Sequence, residues 1–171
     1  MNKSNLWSLR LGFSGKQAQL IEEIGFEKFL NQSYATTFDK ALPNFLDDEP
    51  KTIAELREYR QSIKNGSADD QKKVIKKQIK NATELKKWWI DKFLTEKYPL
   101  REKMTCFWHN HFVATSQKVR STYWVYQHNM ILRENAFGNF KELTKQIVKS
   151  NAMVRYLDNV DNRKDKINEN L

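Results

Sequence analysis

The sequence predicts an all-α fold: a multi-helix, bundle-like array around one long lysine-rich helix, with no significant sheet. Three observations carry this expectation. The 171 residues hold only 5 Gly and 3 Pro, too few for the frequent turns of sandwiches and barrels. Apolar residues recur at spacings of three and four, the period of a helix with one face in a core. Helix-start signatures precede these runs: Ser14 with Gln17, Thr52 with Glu55, Ser67, and Asn139 with Glu142. Tyr123 to Tyr126 is the one aromatic, strand-favouring run, and its flanks read as helix.

The elements follow in order. Ser14 caps a helix carrying Leu20, Ile21 and Ile24, with Gly25 where a terminating glycine belongs. A second piece over 26–32 is expected to bury Phe26, Phe29 and Leu30. From Ser33 to Lys51, two prolines and Asp47-Asp48-Glu49 read as a loop pinned by Phe38, Leu42, Phe45 and Leu46. Thr52 opens a helix with the stripe Ile53, Leu56, Tyr59 and Ile63, closed by Gly66. Ser67 caps the long helix, which is expected to reach about Lys97 and to run roughly 45 Å. Its inner side reads as Ile75, Ile79, Ala82, Trp89 and Phe93. Pro99 suits the first turn of the next helix, with Leu100, Met104, Phe107, Trp108 and His111 on one stripe. Residues 113–122 read as a polar connection and 123–135 as a helix. Asn139 opens another with Phe140, Leu143 and Ile147 inward, Ser150 starts a short one through Leu157, and 159–168 is a polar loop.

A hydrophobic share of 39% with 12% aromatics suffices for a core, and the length suits a single helical domain over residues 1–171. Cys106 stands alone, so neither an internal disulfide nor a cysteine-based zinc site is available, and its aromatic neighbours suggest a buried thiol. No apolar run is long enough to span a membrane. The formal charge is +9, and nine lysines between Lys64 and Lys92 face four acids, so that stretch alone is +5. These lysines read as a solvated face, and nucleic acid is not the expected partner. The alternative is contact with an anionic membrane surface through Lys72, Lys73, Lys76 and Lys77. The opening MNKSNLWSLRLGFSG lacks the apolar core of a secretory signal, so a cytoplasmic location is expected. Asn168-Glu169-Asn170 reads as a helix start that stops as it begins. The chain is therefore expected to be the amino-terminal part of a longer domain, with apolar surface exposed on the elements after Pro99.

The polar residues of interest gather in that same region. His109 and His111 flank Asn110 inside an aromatic frame, but side chains two apart on a helix point about 200° away from each other. They do not form one metal face, and the hairpin of a His-Asn-His nuclease is not predicted here. His111 shares a stripe with Met104 and Phe107. It is thus expected to be the more buried histidine, neutral, and hydrogen-bonded to Arg133, Glu134 or Asp158. A second cluster comprises Gln127, His128, Asn129, Arg133, Glu134, Asn135 and Asn139. Its adjacent Arg133 and Glu134 cannot face each other and must find partners elsewhere. The third, Asp158-Asn159-x-Asp161-Asn162, has the oxygens of a calcium loop without its glycine or bidentate Glu, so a polar turn is favoured. The candidate polar cluster, functional or structural, is therefore His109, Asn110, His111, Arg133, Glu134, Asn139, Asp158, Asn159, Asn168, Glu169 and Asn170. No metal-ligand or cofactor pattern emerges, and no residue is assigned a catalytic role.

The order of these motifs resembles the bacterial family known as domain of unknown function 1800. The resemblance rests on Leu9-Arg10-Leu11-Gly12-Phe13; on Pro99 to Met104 running into Phe107 to Phe112; and on Leu132-Arg133-Glu134-Asn135-Ala136-Phe137-Gly138-Asn139-Phe140. Asn151-Ala152-Met153, Tyr156 to Asn159 and Asn168-Glu169-Asn170 close the series. It implies a continuation past Asn170 into a further helix. It also implies relatives that are often exported and encoded beside a family numbered 1501, whose members become candidate partners. It implies no catalytic residues, since the family has no established activity. The expectation is a helical module of a larger bacterial protein with an interaction or structural role. The alternative is part of a hydrolase-like or metal-dependent active site completed by the carboxyl-terminal part.

Overall fold

A computed structural model describes residues 2–162. Helix α1 (Lys3–Leu11) is followed by a 3-10 turn (Gly15–Gln17), α2 (Ala18–Ile24) and α3 (Phe26–Tyr34). After a loop with a 3-10 turn (Asn44–Leu46) come α4 (Ile53–Asn65), the long α5 (Ala68–Thr95) and α6 (Leu100–His111). The chain continues through α7 (Ser116–Val119), α8 (Thr122–Glu134), α9 (Phe140–Val148), α10 (Asn151–Tyr156) and a 3-10 turn (Asn159–Asp161). Among the described residues there is no strand, so the all-α class holds.

Local signals set most of the helix starts. Thr52 with Glu55 and Ser67 with Asp70 both form reciprocal capping boxes, while Asn139 and Ser150 accept the third backbone N–H of their helices. Ser14 departs from its expected box. Its hydroxyl accepts from the Lys16 N–H, and the turn begins as a 3-10 turn. Gln17 instead turns inward, its own N–H donating to Ser8 Oγ at 3.0 Å. Gly25 ends α2 at φ +83°, a left-handed conformation that lets α3 start without an intervening loop.

Helix α8 is the axis of the domain. It packs against α5, α6, α7, α9 and α10, and eight of its residues are buried around most of its circumference. On one side Trp124, Val125 and Tyr126 join Leu46, Leu56, Leu85, Val119 and Ala152. On the other, Leu132 meets Leu143, Ile147 and Met153. The loop before α4 is tied to this axis, since Tyr126 Oη donates to the Ala41 carbonyl and Trp124 Nε1 to that of Lys51. The connection over 113–122 is not simply a polar loop: α7 lies within it and seats Val119 fully in the core.

Two apolar stripes enter the core only in part; on α4 Leu56 is buried and Tyr59 and Ile63 are half-buried. Ile53 is exposed at the start of α4. On α5 the core side is Asn81, Leu85 and Trp88, whereas Ile75 and Ile79 point outward. The physical reason is the partner each residue meets. Trp88 reaches the Tyr126 ring at 5.4 Å, and Asn81 Nδ2 donates to the buried Glu49 carboxylate at 2.7 Å. Trp89 and Phe93 are half-buried, their rings tilted against each other, and Phe93 stacks on Phe13.

Candidate functional site

The buried face of α6 is its polar one. Glu102, Thr105, His109 and Phe112, spaced three and four apart, point toward α8, while Phe107 and His111 lie on the outer side. This side is chosen because α8 presents Arg133 there, with no exposed surface at all. Arg133 Nε donates to Glu102 Oε1 at 2.8 Å and Nη2 to Oε2 at 2.5 Å, a two-pronged pair. Its Nη1 donates to Asn129 Oδ1 at 2.7 Å, and its guanidinium lies 4.9 Å from the centre of the Trp88 ring. All three guanidinium nitrogens are engaged internally, and the carboxylate uses both oxygens, so the pair braces α6 against α8.

Arg101 extends the brace. Its Nη2 donates to the Thr36 carbonyl at 2.7 Å and Nη1 to that of Arg133 at 3.1 Å, with Phe38 and Phe137 rings beside it. Lys103 reaches the other way, to the Gly12 carbonyl at 2.6 Å and that of Leu9 at 3.2 Å. Trp108 Nε1 donates to the Ala136 carbonyl at 3.3 Å.

The histidines reverse the expectation. His111 is exposed beside the rings of Trp108, Phe112 and Phe140, while Arg133, Glu134 and Asp158 pair with other residues. His109 is the more buried of the pair. It lies 4.9 Å from the Trp89 ring and 5.6 Å from that of His128, and burial pushes its pKa down. His128 is fully buried. Because the Phe112 carbonyl accepts from its Nε2 at 2.7 Å, the ring is the neutral Nε2–H tautomer, and burial pushes its pKa down to about 4. Its Nδ1 is a buried atom without a hydrogen-bond partner.

The remaining candidates do not converge. Asn110 is exposed, Asn139 caps α9, and Glu134 pairs with Lys40 at 2.7 Å on the surface. Asp158 adopts a left-handed turn and holds Lys118 at 2.5 Å, while Asn159 accepts from Asn162 Nδ2. Asn168, Glu169 and Asn170 lie outside the described residues. Cys106 is half-buried with its thiol pKa pushed up by burial, the state of an unreactive thiol. An open groove of about 580 Å³ runs between α8 and the α9–α10 turn, with Lys40, Tyr123, Gln127, Glu134, Lys149 and Asn151 on its walls.

The family model described as a protein of unknown function (DUF1800) matches residues 6–171. The chain belongs to the DUF1800 family. No curated protein and no solved structure matches it. In this DUF1800 chain three of the motif segments are tied to other parts of the fold. The Leu9–Phe13 segment is held by Lys103, the Pro99–Met104 segment by Arg133, and the Phe107–Phe112 segment by Ala136 and His128. Glu102 and Arg101, the hub of that frame, are not among the residues singled out by clustering of polar groups. The signal available for them was the polar stripe Glu102, Thr105, His109 at helical spacing, opposite the apolar one.

Proposed function

We propose that this domain is a non-catalytic helical module that binds another protein through the aromatic face at the end of α6. One observation carries the reading: Glu102, Arg133 and His128 are engaged inside the fold, while Phe107 and Phe140 nearby are left exposed. Phe107 is 57% exposed and Phe140 51%, and they continue through Trp108, His111 and Phe112 in a run of ring contacts. An exposed aromatic surface of this kind suits an apolar segment of a partner protein. A member of the family numbered 1501 is the first partner to try. The test places a photo-crosslinking amino acid at Phe107, at Phe140 and, as a control, at the exposed Gln19 on α2. One polypeptide captured from both aromatic positions and not from Gln19 supports the reading, whereas identical patterns at all three positions overturn it.

The groove beside Glu134 favours a second reading, a share of an active site. Glu134 and Lys40 stand at its wall with Tyr123, Gln127 and Asn151, groups suited to binding a polar ligand. Elemental analysis of the purified protein tests its metal-dependent form. A stoichiometric bound metal lost in Glu134→Gln supports it, and a metal-free protein counts against it.

A further inference from the structure

We propose that α5 is an interfacial helix that lays one flank on an anionic lipid bilayer. The helix carries two apolar stripes, and the core takes only one of them, through Asn81, Leu85 and Trp88. At about 100° per residue, the second stripe lies roughly 160° round the helix from the first, nearly opposite it. It consists of Ile75, Ile79, Ile90 and Leu94, exposed to 55%, 63%, 52% and 64%. It extends for about 28 Å along the helix.

The charges around this stripe are one-signed. Lys72, Lys76 and Lys86 fall within about 50° of its centre, while Asp69, Asp70, Glu84 and Asp91 fall about 70° or more away. All three lysines are exposed. Of the four lysines picked out by sequence, Lys73 and Lys77 turn to the other flank, toward Asp70 and Asp48, while Lys76 and Lys72, the latter 3.9 Å from Asp69, border the stripe. Aliphatic side chains bordered by lysine suit the boundary between acyl chains and anionic headgroups, where the isoleucines enter the apolar layer and the ammonium groups meet phosphate.

Other occupants fit less well. A nucleic-acid backbone offers nothing apolar to four aliphatic residues. A second copy would set lysine against lysine. A dry helix–helix contact would bury Lys86, which sits in the middle of the stripe between Ile79 and Ile90, without a partner. At a bilayer the same lysine extends its stem along the apolar layer and keeps its charge among the headgroups.

Vesicle co-sedimentation of the whole chain tests this. The probes are phosphatidylcholine vesicles and vesicles with about one-third phosphatidylglycerol. Binding is expected only with phosphatidylglycerol and is expected to weaken with salt. The variant Ile79→Ser/Ile90→Ser and the variant Lys72→Gln/Lys76→Gln/Lys86→Gln should each lower partitioning about tenfold, with melting curves near wild type. Lys73→Gln/Lys77→Gln should change it less than about twofold. Absence of phosphatidylglycerol-dependent binding overturns the proposal. So does wild-type binding by the isoleucine variant, which would mean charge attraction alone, or an equal loss in the Lys73/Lys77 variant. Complete displacement from vesicles by a soluble acidic amphipathic peptide would transfer the stripe to a protein partner and overturn it as well.

Discussion

Arg133 on α8 and Glu102 on α6 meet through two parallel hydrogen bonds, with side chains 0% and 3% exposed. Each charge, left alone at that depth, would face a penalty of several kcal/mol, so the two residues behave as one unit. Removing Glu102 strands a guanidinium that has no route to water. Glu102→Ala should destabilise the domain by roughly 3–5 kcal/mol in urea unfolding. The double variant Glu102→Leu/Arg133→Met replaces the pair by apolar groups of similar volume and should recover a large part of that loss. A double variant no more stable than the single one would show that the charges do more than brace two helices.

The two histidines of the aromatic frame should differ in the opposite sense to their helical stripe. His109 packs against Trp89 and His128, whereas His111 is exposed. His109→Ala should therefore cost about 1–3 kcal/mol, and His111→Ala less than about 1 kcal/mol. Unfolding free energies of both variants check the order, and a larger loss at His111 would contradict the packing.

Acid should begin to weaken the fold near pH 6.5 through the buried histidines. His128 has a pKa of about 4 in the folded chain, held down mainly by burial, against an ordinary value of 6.5, and His109 is displaced the same way. The unfolded chain therefore binds protons that the folded chain refuses. The contribution of His128 is complete above about pH 6.5 and declines as pH falls toward about 4, by roughly 3 kcal/mol in all. Urea midpoints measured from pH 7.5 down to 4.5, on the order of six points, should fall across that window. In His128→Gln the decline should be shallower, with the share of His109 remaining.

Gly12 closes α1 against the start of α6. A methyl group there would stand 2.7 Å from Pro99 Cγ and 3.1 Å from the Ser8 carbonyl oxygen. Gly12→Ala should therefore destabilise by about 1–3 kcal/mol through overpacking, even though its backbone angles are open to alanine. A neutral result in thermal melting would mean that α1 docks loosely.

Where information is local, the sequence is a good guide to this fold. The capping box at Thr52 needs only residues three apart and forms as read, and Ser67, read as a cap, does cap α5. Helix α1 is harder to see because its buried positions are Ser8 and the following Gly12, not an apolar stripe, so periodicity is silent there. The face of α6 was misread for a related reason. Of its apolar stripe, Leu100 is buried but Phe107 and His111 point outward, since a buried arginine on α8 rewards a glutamate more than a phenylalanine. Pairing across thirty residues is invisible to spacing rules, which record period and not partner. By the same limit, Arg133 and Glu134 were correctly separated onto different partners, but neither Glu102 nor Lys40 could be named.

The hydrogen bond from Lys103 to Leu9 spans 94 positions of the chain, and Lys40 reaches Glu134 across another 94. On a ribosome the first helices therefore emerge long before the residues that hold them. At typical rates of synthesis the wait is about ten seconds. During it Phe29, which is fully buried in the finished fold against Tyr98, lacks that partner. Nascent chains of this protein should thus be clients of ribosome-associated holdases until α6 clears the exit tunnel.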